Sequence, residues 1–275
     1  MNDQNGEGIA DLMTVLMGRG VADGDVIHCG AFTPLVLASG MWAMAHHAPN
    51  AVIIPVSLTG VRIFKPFPIS YSLLEAMSLA NGVQYTMTDI FTHVEGPDGC
   101  AYEPINPLQI DCWGNINMSV IGGFGKPALR GPGAAGADIL PIMMNHRLIV
   151  YCPRHSTRTF VENVDFVTGV GNSPERRRTH GVTTGGIGKV ITNLAVLEFD
   201  KAGRMTLCAT HPGVSVDDVQ RQTGFELVVA DHVQQTEPPS EEEVAVLKQI
   251  DPLGIRSFEF MAASERQARM LGALG

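Results

Sequence analysis

The change of hydrophobic period within the first quarter of the chain constrains the fold more than any other feature. Ile9, Leu12, Met13, Leu16 and Met17 recur at helical spacing, and Gly18 and Gly20 bring that helix to a stop. Asp25–Cys29 then reads as a short buried strand. After the loop Gly30–Pro34, the segment Leu35–His47 repeats the helical pattern and Ala51–Val56 the strand pattern. Helix, strand, helix, strand in that order belongs to an α/β fold with a mainly parallel sheet and helices on its faces.

Downstream, the pattern changes. Ile63–Ile69 is broken by proline, Leu73–Leu79 has a helical spacing, and Glu95–Gly99 is a turn cluster. Short β-branched or apolar runs follow at Leu148–Tyr151, Val164–Thr168, Val190–Asn193, Ala195–Phe199 and Met205–Cys208, so the C-terminal part is expected to be β-rich. Asp200-Lys201-Ala202-Gly203 reads as a hairpin turn between the last two. Ser215 is placed to cap a helix whose first turn carries Asp217 and Asp218, where the helix dipole favours carboxylates. With 275 residues and no linker-like stretch, residues 1–275 are expected to form a single large domain.

Composition narrows the function. Lys and Arg total 19 against 28 Asp and Glu, a net charge of −9 that would repel a phosphate backbone, so nucleic acid is excluded as a partner. Only 17% of residues are charged and the mean hydropathy is +0.11, which is expected where another subunit covers part of the surface. The polar, acidic Met1–Glu7 lacks the features of an export signal, and no apolar run is long enough to span a bilayer, so the expectation is a cytoplasmic protein without a membrane segment. Five widely spaced cysteines without a Cys-x-x-Cys pair read as reduced thiols, and nine histidines without His-x3-His or His-Glu-x-x-His spacing predict no metal site.

Several strings invite a chemical reading. Gly131-x-Gly133-x-x-Gly136 matches a dinucleotide fingerprint, but Lys126–Arg130 before it is not a buried strand and Pro132 sits inside it. Its small residues still let backbone N–H groups approach an anionic oxygen, so it reads as an oxyanion loop or a structural turn. Thr183–Val190 fails as a phosphate loop at both ends. Cys152, beside Arg154 and His155, reads as a buried thiol at a strand end rather than a nucleophile. Glu175-Arg176-Arg177-Arg178 reads as solvated charge in a polar loop, its one sharp alternative being an anchor for a phosphorylated ligand.

Taken together, Gln109-Ile110-Asp111-Cys112-Trp113-Gly114-Asn115-Ile116-Asn117, the Gly131–Gly136 loop, Phe160–Thr168, Thr192–Phe199 and His211-Pro212-Gly213-Val214 are recognisable. The chain resembles the β subunit of class I CoA-transferases, and is similar to the glutaconate CoA-transferase β subunit over nearly its whole length, with residues 57–100 matching least. The resemblance implies an open CoA-transferase-type α/β domain that pairs with a homologous α subunit, as αβ or α2β2. The acyl-CoA would lie between the two, with coenzyme A as part of the substrate and no permanently bound cofactor. It implies acyl-CoA contacts at Gly30, Phe32, Gly131, Gly133, Ala134 and Gly136.

In that family a β-subunit glutamate at the end of the strand corresponding to Ala51–Val56 attacks the thioester. Here the matching position is Val56, followed by Ser57, and no Asp or Glu occurs from Val26 to Leu74. Valine has no lone pair with which to attack a carbonyl. A relative with this departure is the β subunit of the steroid ring-opening CoA hydrolase, whose catalytic glutamate is on the α subunit and which adds water to a cyclic β-keto acyl-CoA. Three readings follow: a CoA-ester or carbon–carbon (retro-Claisen) hydrolase; a genuine transferase with its glutamate elsewhere, at Glu75 or Glu95; or a non-catalytic acyl-CoA-binding structural subunit. In the first, the Gly133–Gly136 amides would face the developing oxyanion while Ser57 and Asn115 shape the pocket.

Overall fold

The computed structural model describes residues 7–30, 33–55, 63, 65–69, 101–134, 136–144 and 147–272. The chain divides into two compact units, residues 1–93 with 238–275, and residues 94–237.

In the first unit, strands β1 (Val26–Cys29) and β2 (Val52–Pro55) pair in parallel, from Val26 opposite Val52 to Cys29 opposite Pro55. All of β1 and most of β2 are buried, which is why both read as continuous apolar runs rather than alternating ones. The crossover between them is helix Pro34–His46, which opens on a proline at its first turn and is buried from Pro34 to Met44. A side chain at Gly40 would press on Ile53 of β2, and one at Gly18 would collide with the Trp42 ring. Gly18 thus closes helix Glu7–Gly18 and also lets it approach helix Pro34–His46.

The C-terminal segment packs into this same unit. Helix Glu241–Ile250 starts on a capping box formed by Ser240 and Glu243. Glu243 also receives Arg19 through two N–H bonds of 3.0 and 2.8 Å, and its carbonyl accepts the Trp42 indole N–H. A 3-10 turn at Ile255–Phe260 and helix Ala263–Gly272 follow. Arg256, buried in that turn, donates to Asp11 at 2.7 Å and to Asp251 at 2.9 Å.

The second unit holds β3 (Ala101–Ile105), β8 (Leu148–Cys152), β9 (Ile187–Thr192), β10 (Ala195–Phe199), β11 (Met205–Thr210) and β12 (Val228–Gln235) in the order β12-β11-β10-β9-β8-β3. Pairings β3–β8, β8–β9 and β11–β12 are parallel, while β9–β10 and β10–β11 are antiparallel. The sheet is thus mixed and mostly parallel, with the expected β-rich C-terminal part. Every residue of β8 is buried. Two small ribbons precede it: β4 (Gln109–Ile110) with β5 (Ile116–Asn117), and β6 (Val120–Ile121) with β7 (Leu129–Arg130). The core gathers Ile110, Ile116, Leu148, Val150, Phe160, Ile187, Leu197 and Leu207.

The turn at Asp200–Gly203 joins β10 to β11 as read from the sequence. The Asp200 carboxylate accepts from the N–H groups of Ala202 and Arg204. Ser215 caps helix Val216–Arg221 in a reciprocal box with Asp218. Two expectations are corrected. Val164–Thr168 is not a strand, because its polar groups go elsewhere: the Asp165 N–H donates to the Gln109 side chain, and the Thr168 hydroxyl accepts from Met118 N–H. The Glu175–Arg178 run is not a loop but part of helix Pro174–Thr179, with Ser173 as its cap.

Candidate functional site

The Gln-x-Asp-x-x-Gly-Asn-x-Asn string is a hydrogen-bonded turn. Asp111 Oδ1 accepts from the backbone N–H groups of Trp113 and Asn115, both at 3.0 Å, and Oδ2 accepts from Asn115 Nδ2 at 2.8 Å. With its Nδ2 so committed, Asn115 turns Oδ1 to the N–H of Gly171 at 3.0 Å. Gly171 lies so close to the Trp113–Asn115 backbone that any side chain there would collide with it. Asn117, fully buried, donates to Gln109 Oε1 at 2.7 Å and to Val120 O, and accepts from the N–H groups of Ser119 and Val120. Burial raises the carboxyl pKa of Asp111, and the three donors and the Arg176 charge oppose that shift. Buried polar side chains that satisfy one another hold a backbone in one shape.

The glycine loop leaves β7 directly. The Gly131 N–H donates to Ser119 O at 2.9 Å and the Gly133 N–H to Met118 O at 3.1 Å. A side chain at Gly131 would strike Met118 O, so this glycine is required by packing. Gly133 and Gly136 have φ of 91° and 96°, the left-handed region in which glycine is at ease. The Gly136 carbonyl accepts from the N–H groups of Ile139 and Leu140, starting helix Leu140–Met143. The Gly133 amide is thus already bonded, while among the described residues no acceptor is found for the amides of half-buried Ala134 and Gly136.

Two buried histidines meet at Thr192, at the end of β9. His211 Nε2 faces the Thr192 carbonyl at 2.7 Å, so that nitrogen carries the proton, and Nδ1 accepts from the Thr236 hydroxyl at 2.9 Å. The Thr223 hydroxyl donates to Val219 O and therefore accepts from His155 Nε2, leaving Nδ1 to accept from Thr192 Oγ1 at 3.1 Å. His155 also stacks on Phe160, ring centroids 3.7 Å apart. Burial lowers the pKa of both rings, that of His155 to about 3, so they stay neutral. The His-Pro-Gly-Val string is thus a structural tie. The neighbouring Cys152 is buried, with its thiol pKa pushed up to about 11, which suits an inert thiol.

Of the remaining sequence-predicted positions, Val56, Ser57, Phe32, Glu75 and Glu95 lie outside the described residues. Gly30 follows β1, and its carbonyl accepts the Thr33 hydroxyl at 2.8 Å. Asn115 is buried within the turn and also borders a polar cavity of about 430 Å³ that the sequence reading missed, with Asp111, Trp113, Asn163, Glu175, Arg176 and His180. The sequence signalled its two walls separately, in the Asp111–Asn115 string and the arginine run. A second polar cavity, of about 440 Å³, lies along the other side of helix Pro174–Thr179, by Arg177, Glu198 and Lys201. Among the described residues no group of His, Cys, Asp and Glu is arranged to hold a metal ion, and no helix is long and apolar enough to cross a membrane.

A model of the family described as coenzyme A transferase matches residues 105–222, the span of the turn, the glycine loop and both buried histidines. The chain is 31% identical over 246 residues to the B-type subunit of 3-oxoadipate CoA-transferase from Pseudomonas knackmussii, covering 88% of this chain and 92% of that one. It is 31% identical over 153 residues to the cholesterol ring-cleaving hydrolase IpdB subunit of Mycobacterium tuberculosis, covering 55% and 60%. The crystal structure of glutaconate coenzyme A-transferase from Acidaminococcus fermentans superposes with a TM-score of 0.78 at 25% identity, over 89% of this chain and 95% of that one.

Proposed function

Because the chain belongs to the class I CoA-transferase β-subunit family, we propose that residues 1–275 act as one β subunit of a heteromeric enzyme that adds water to an acyl-CoA, cleaving its thioester or a carbon–carbon bond. The observation that carries the choice of water is the absence of any carboxylate from Val26 to Leu74, with Val56 directly after β2. A hydroxide equivalent needs a general base, which the α subunit supplies in this reading, and donors for the developing negative oxygen. The Ala134 and Gly136 amides are suited to that, held on a loop whose entry is fixed by Gly131 and Gly133. Subunit pairing is supported by the names of the relatives and by exposed Phe124, Leu129, Met270 and Leu271, apolar groups that a partner would cover.

A transferase remains the second reading, favoured by a specific observation: the transferase relative matches 88% of this chain and the hydrolase relative 55%. Glu75 and Glu95 are its candidate nucleophiles. The test is to incubate the assembled complex with 3-oxoadipyl-CoA, glutaconyl-CoA and a cyclic β-keto acyl-CoA in water enriched in oxygen-18. Solvent oxygen in the product carboxylate, with no coenzyme A adduct on this chain by intact mass, is the expected result. An adduct released by hydroxylamine would overturn the water mechanism and establish the transferase.

A further inference from the structure

Helix Pro34–His46 begins after Thr33, a residue type well suited to cap a helix, yet the Thr33 side chain makes no capping bond. Its φ of −111° and ψ of 69° fall outside the extended geometry usual for such a cap. The hydroxyl is used instead on the turn that follows β1: it donates to the Gly30 carbonyl at 2.8 Å and lies 3.3 Å from Cys29 Sγ. The helix receives its cap from 224 residues away. Pro34 has no N–H, so the first amide of the helix belongs to the fully buried Leu35, and that amide donates to Glu259 Oε1 at 3.0 Å.

Glu259 stands on a rigid support. It belongs to the 3-10 turn Ile255–Phe260, where the N–H groups of Ile255 and Arg256 donate to the Asp251 carboxylate at 2.8 and 2.9 Å and the Arg256 side chain reaches Asp11 at 2.7 Å. Its target lies at a place with functional meaning. Cys29 and Pro55 stand side by side at the C-terminal ends of the parallel strands β1 and β2, the end at which α/β folds hold their ligands. We propose that Glu259 is a positioning residue for the acyl-CoA: by capping the helix it releases the Thr33 hydroxyl to hold the Gly30 carbonyl, and so fixes the turn at that end of β1. Without Glu259 the helix draws the Thr33 hydroxyl back to its own first-turn amides, the ordinary task of a threonine cap, and Gly30 is let go. The inference rests on the acyl-CoA reading above, in which Gly30 touches the ligand, and adds to it the distant residue that sets the shape of that contact.

Calorimetric titration of the assembled complex with coenzyme A tests the role, with assembly of each variant checked by sedimentation. Glu259→Ala should weaken binding about tenfold, the scale of one lost hydrogen bond, whereas Glu259→Gln keeps an oxygen for the Leu35 amide and should stay within about twofold of wild type. Thr33→Val deletes the hydroxyl that holds Gly30 and keeps the shape of the side chain, so it should cause the same tenfold loss with Glu259 intact. Because both changes release one turn, the double variant Thr33→Val with Glu259→Ala should bind no more weakly than the weaker single one. A cap that serves stability alone would lower the urea midpoint of Glu259→Ala and leave its affinity at the wild-type value. That outcome, wild-type affinity in Thr33→Val, or losses that multiply in the double variant would overturn the role and leave the acyl-CoA reading standing. Should Glu259→Ala fail to assemble, Thr33→Val decides the question by itself. Failure of the wild-type complex to bind coenzyme A overturns both.

Discussion

Replacing Asp111 by asparagine changes one atom, yet the structure predicts a large loss. The carboxylate accepts three N–H bonds, two at Oδ1 and one at Oδ2 from Asn115 Nδ2. In Asp111→Asn the amide oxygen can keep the two backbone donors, but the new NH2 then faces Asn115 Nδ2 across 2.8 Å, donor against donor. Turning the Asn115 amide over only moves the conflict, because its Nδ2 would then face the Gly171 N–H now bonded to Oδ1. One lost bond to a charged acceptor and one or two unsatisfied buried donors cost about 3 kcal/mol, after discounting the relief of no longer burying a charge. At a urea slope of about 2 kcal/mol per molar, the unfolding midpoint should fall by about 1.5 M, read by the fluorescence of Trp113 in the same turn. Exchanging the two chemistries, Asp111→Asn with Asn115→Asp, restores the pattern. The amide at 111 donates to the carboxylate at 115, whose other oxygen takes the Gly171 N–H. The double variant should recover at least half of the loss. A midpoint within 0.3 M of wild type (~0.6 kcal/mol) for Asp111→Asn alone, or a double variant less stable than the sum of the single ones, would refute the relay.

Stability should fall as the pH drops below about 6.5, since His155 is held neutral down to about 3 in the folded chain while the unfolded ring takes up a proton near 6.5; the slope is about 1.4 kcal/mol per pH unit for that histidine. His211 adds in the same direction and Asp111, whose pKa is raised, opposes it; His155→Gln should flatten the acid limb in urea titrations at stepped pH. Arg256→Ala strands the buried Asp251 carboxylate and should cost about 3–5 kcal/mol in thermal and urea unfolding, with Arg256→Met less damaging only if Asp251→Asn accompanies it. Gly133→Asn tolerates a φ of 91° better than Gly133→Val and, with open space around the new Cβ, should fold; loss of acyl-CoA affinity in its calorimetric titration supports a ligand role for the loop, and unchanged affinity assigns the loop to structure alone.

What the sequence made legible was local or two-faced burial. Val26–Cys29 and Val52–Pro55 are apolar at consecutive positions because both faces are covered, and the Asp200–Gly203 turn and Ser215 cap are decided within a few residues. The parts that stayed hidden depend on distant partners. Nothing near Arg256 announces Asp11, 245 residues away, and the β-branched Val164–Thr168 fails to become a strand because Gln109 and the Met118 N–H claim its polar groups. The cavity by Arg176 is likewise assembled from residues 111 to 180, and neither the Asp111–Asn115 string nor the arginine run announces that the two meet.

The same distinction explains why the family could be read from the sequence before the reaction could. The strings that made the resemblance visible are the ones whose side chains bond to the chain itself: Asp111, Asn115 and Asn117 within their turn, His211 on Thr192 and Thr236, Gly131 against Met118. Each position is constrained by several buried hydrogen bonds or by a backbone approach, so substitution there costs stability whatever the enzyme does. A residue that attacks substrate carries no such constraint from the fold. Its identity can change with the chemistry while the scaffold stays, and a valine at position 56, in a chain whose scaffold is intact, is compatible with the same ligand and a different nucleophile. Restoring a carboxylate by Val56→Glu should therefore leave coenzyme A affinity within about twofold of wild type, because none of these scaffold contacts is touched. A coenzyme A adduct on that variant, absent from wild type by intact mass, would locate the divergence between water addition and transfer at this one side chain. Adduct formation by both proteins would place the nucleophile elsewhere and end the argument from Val56.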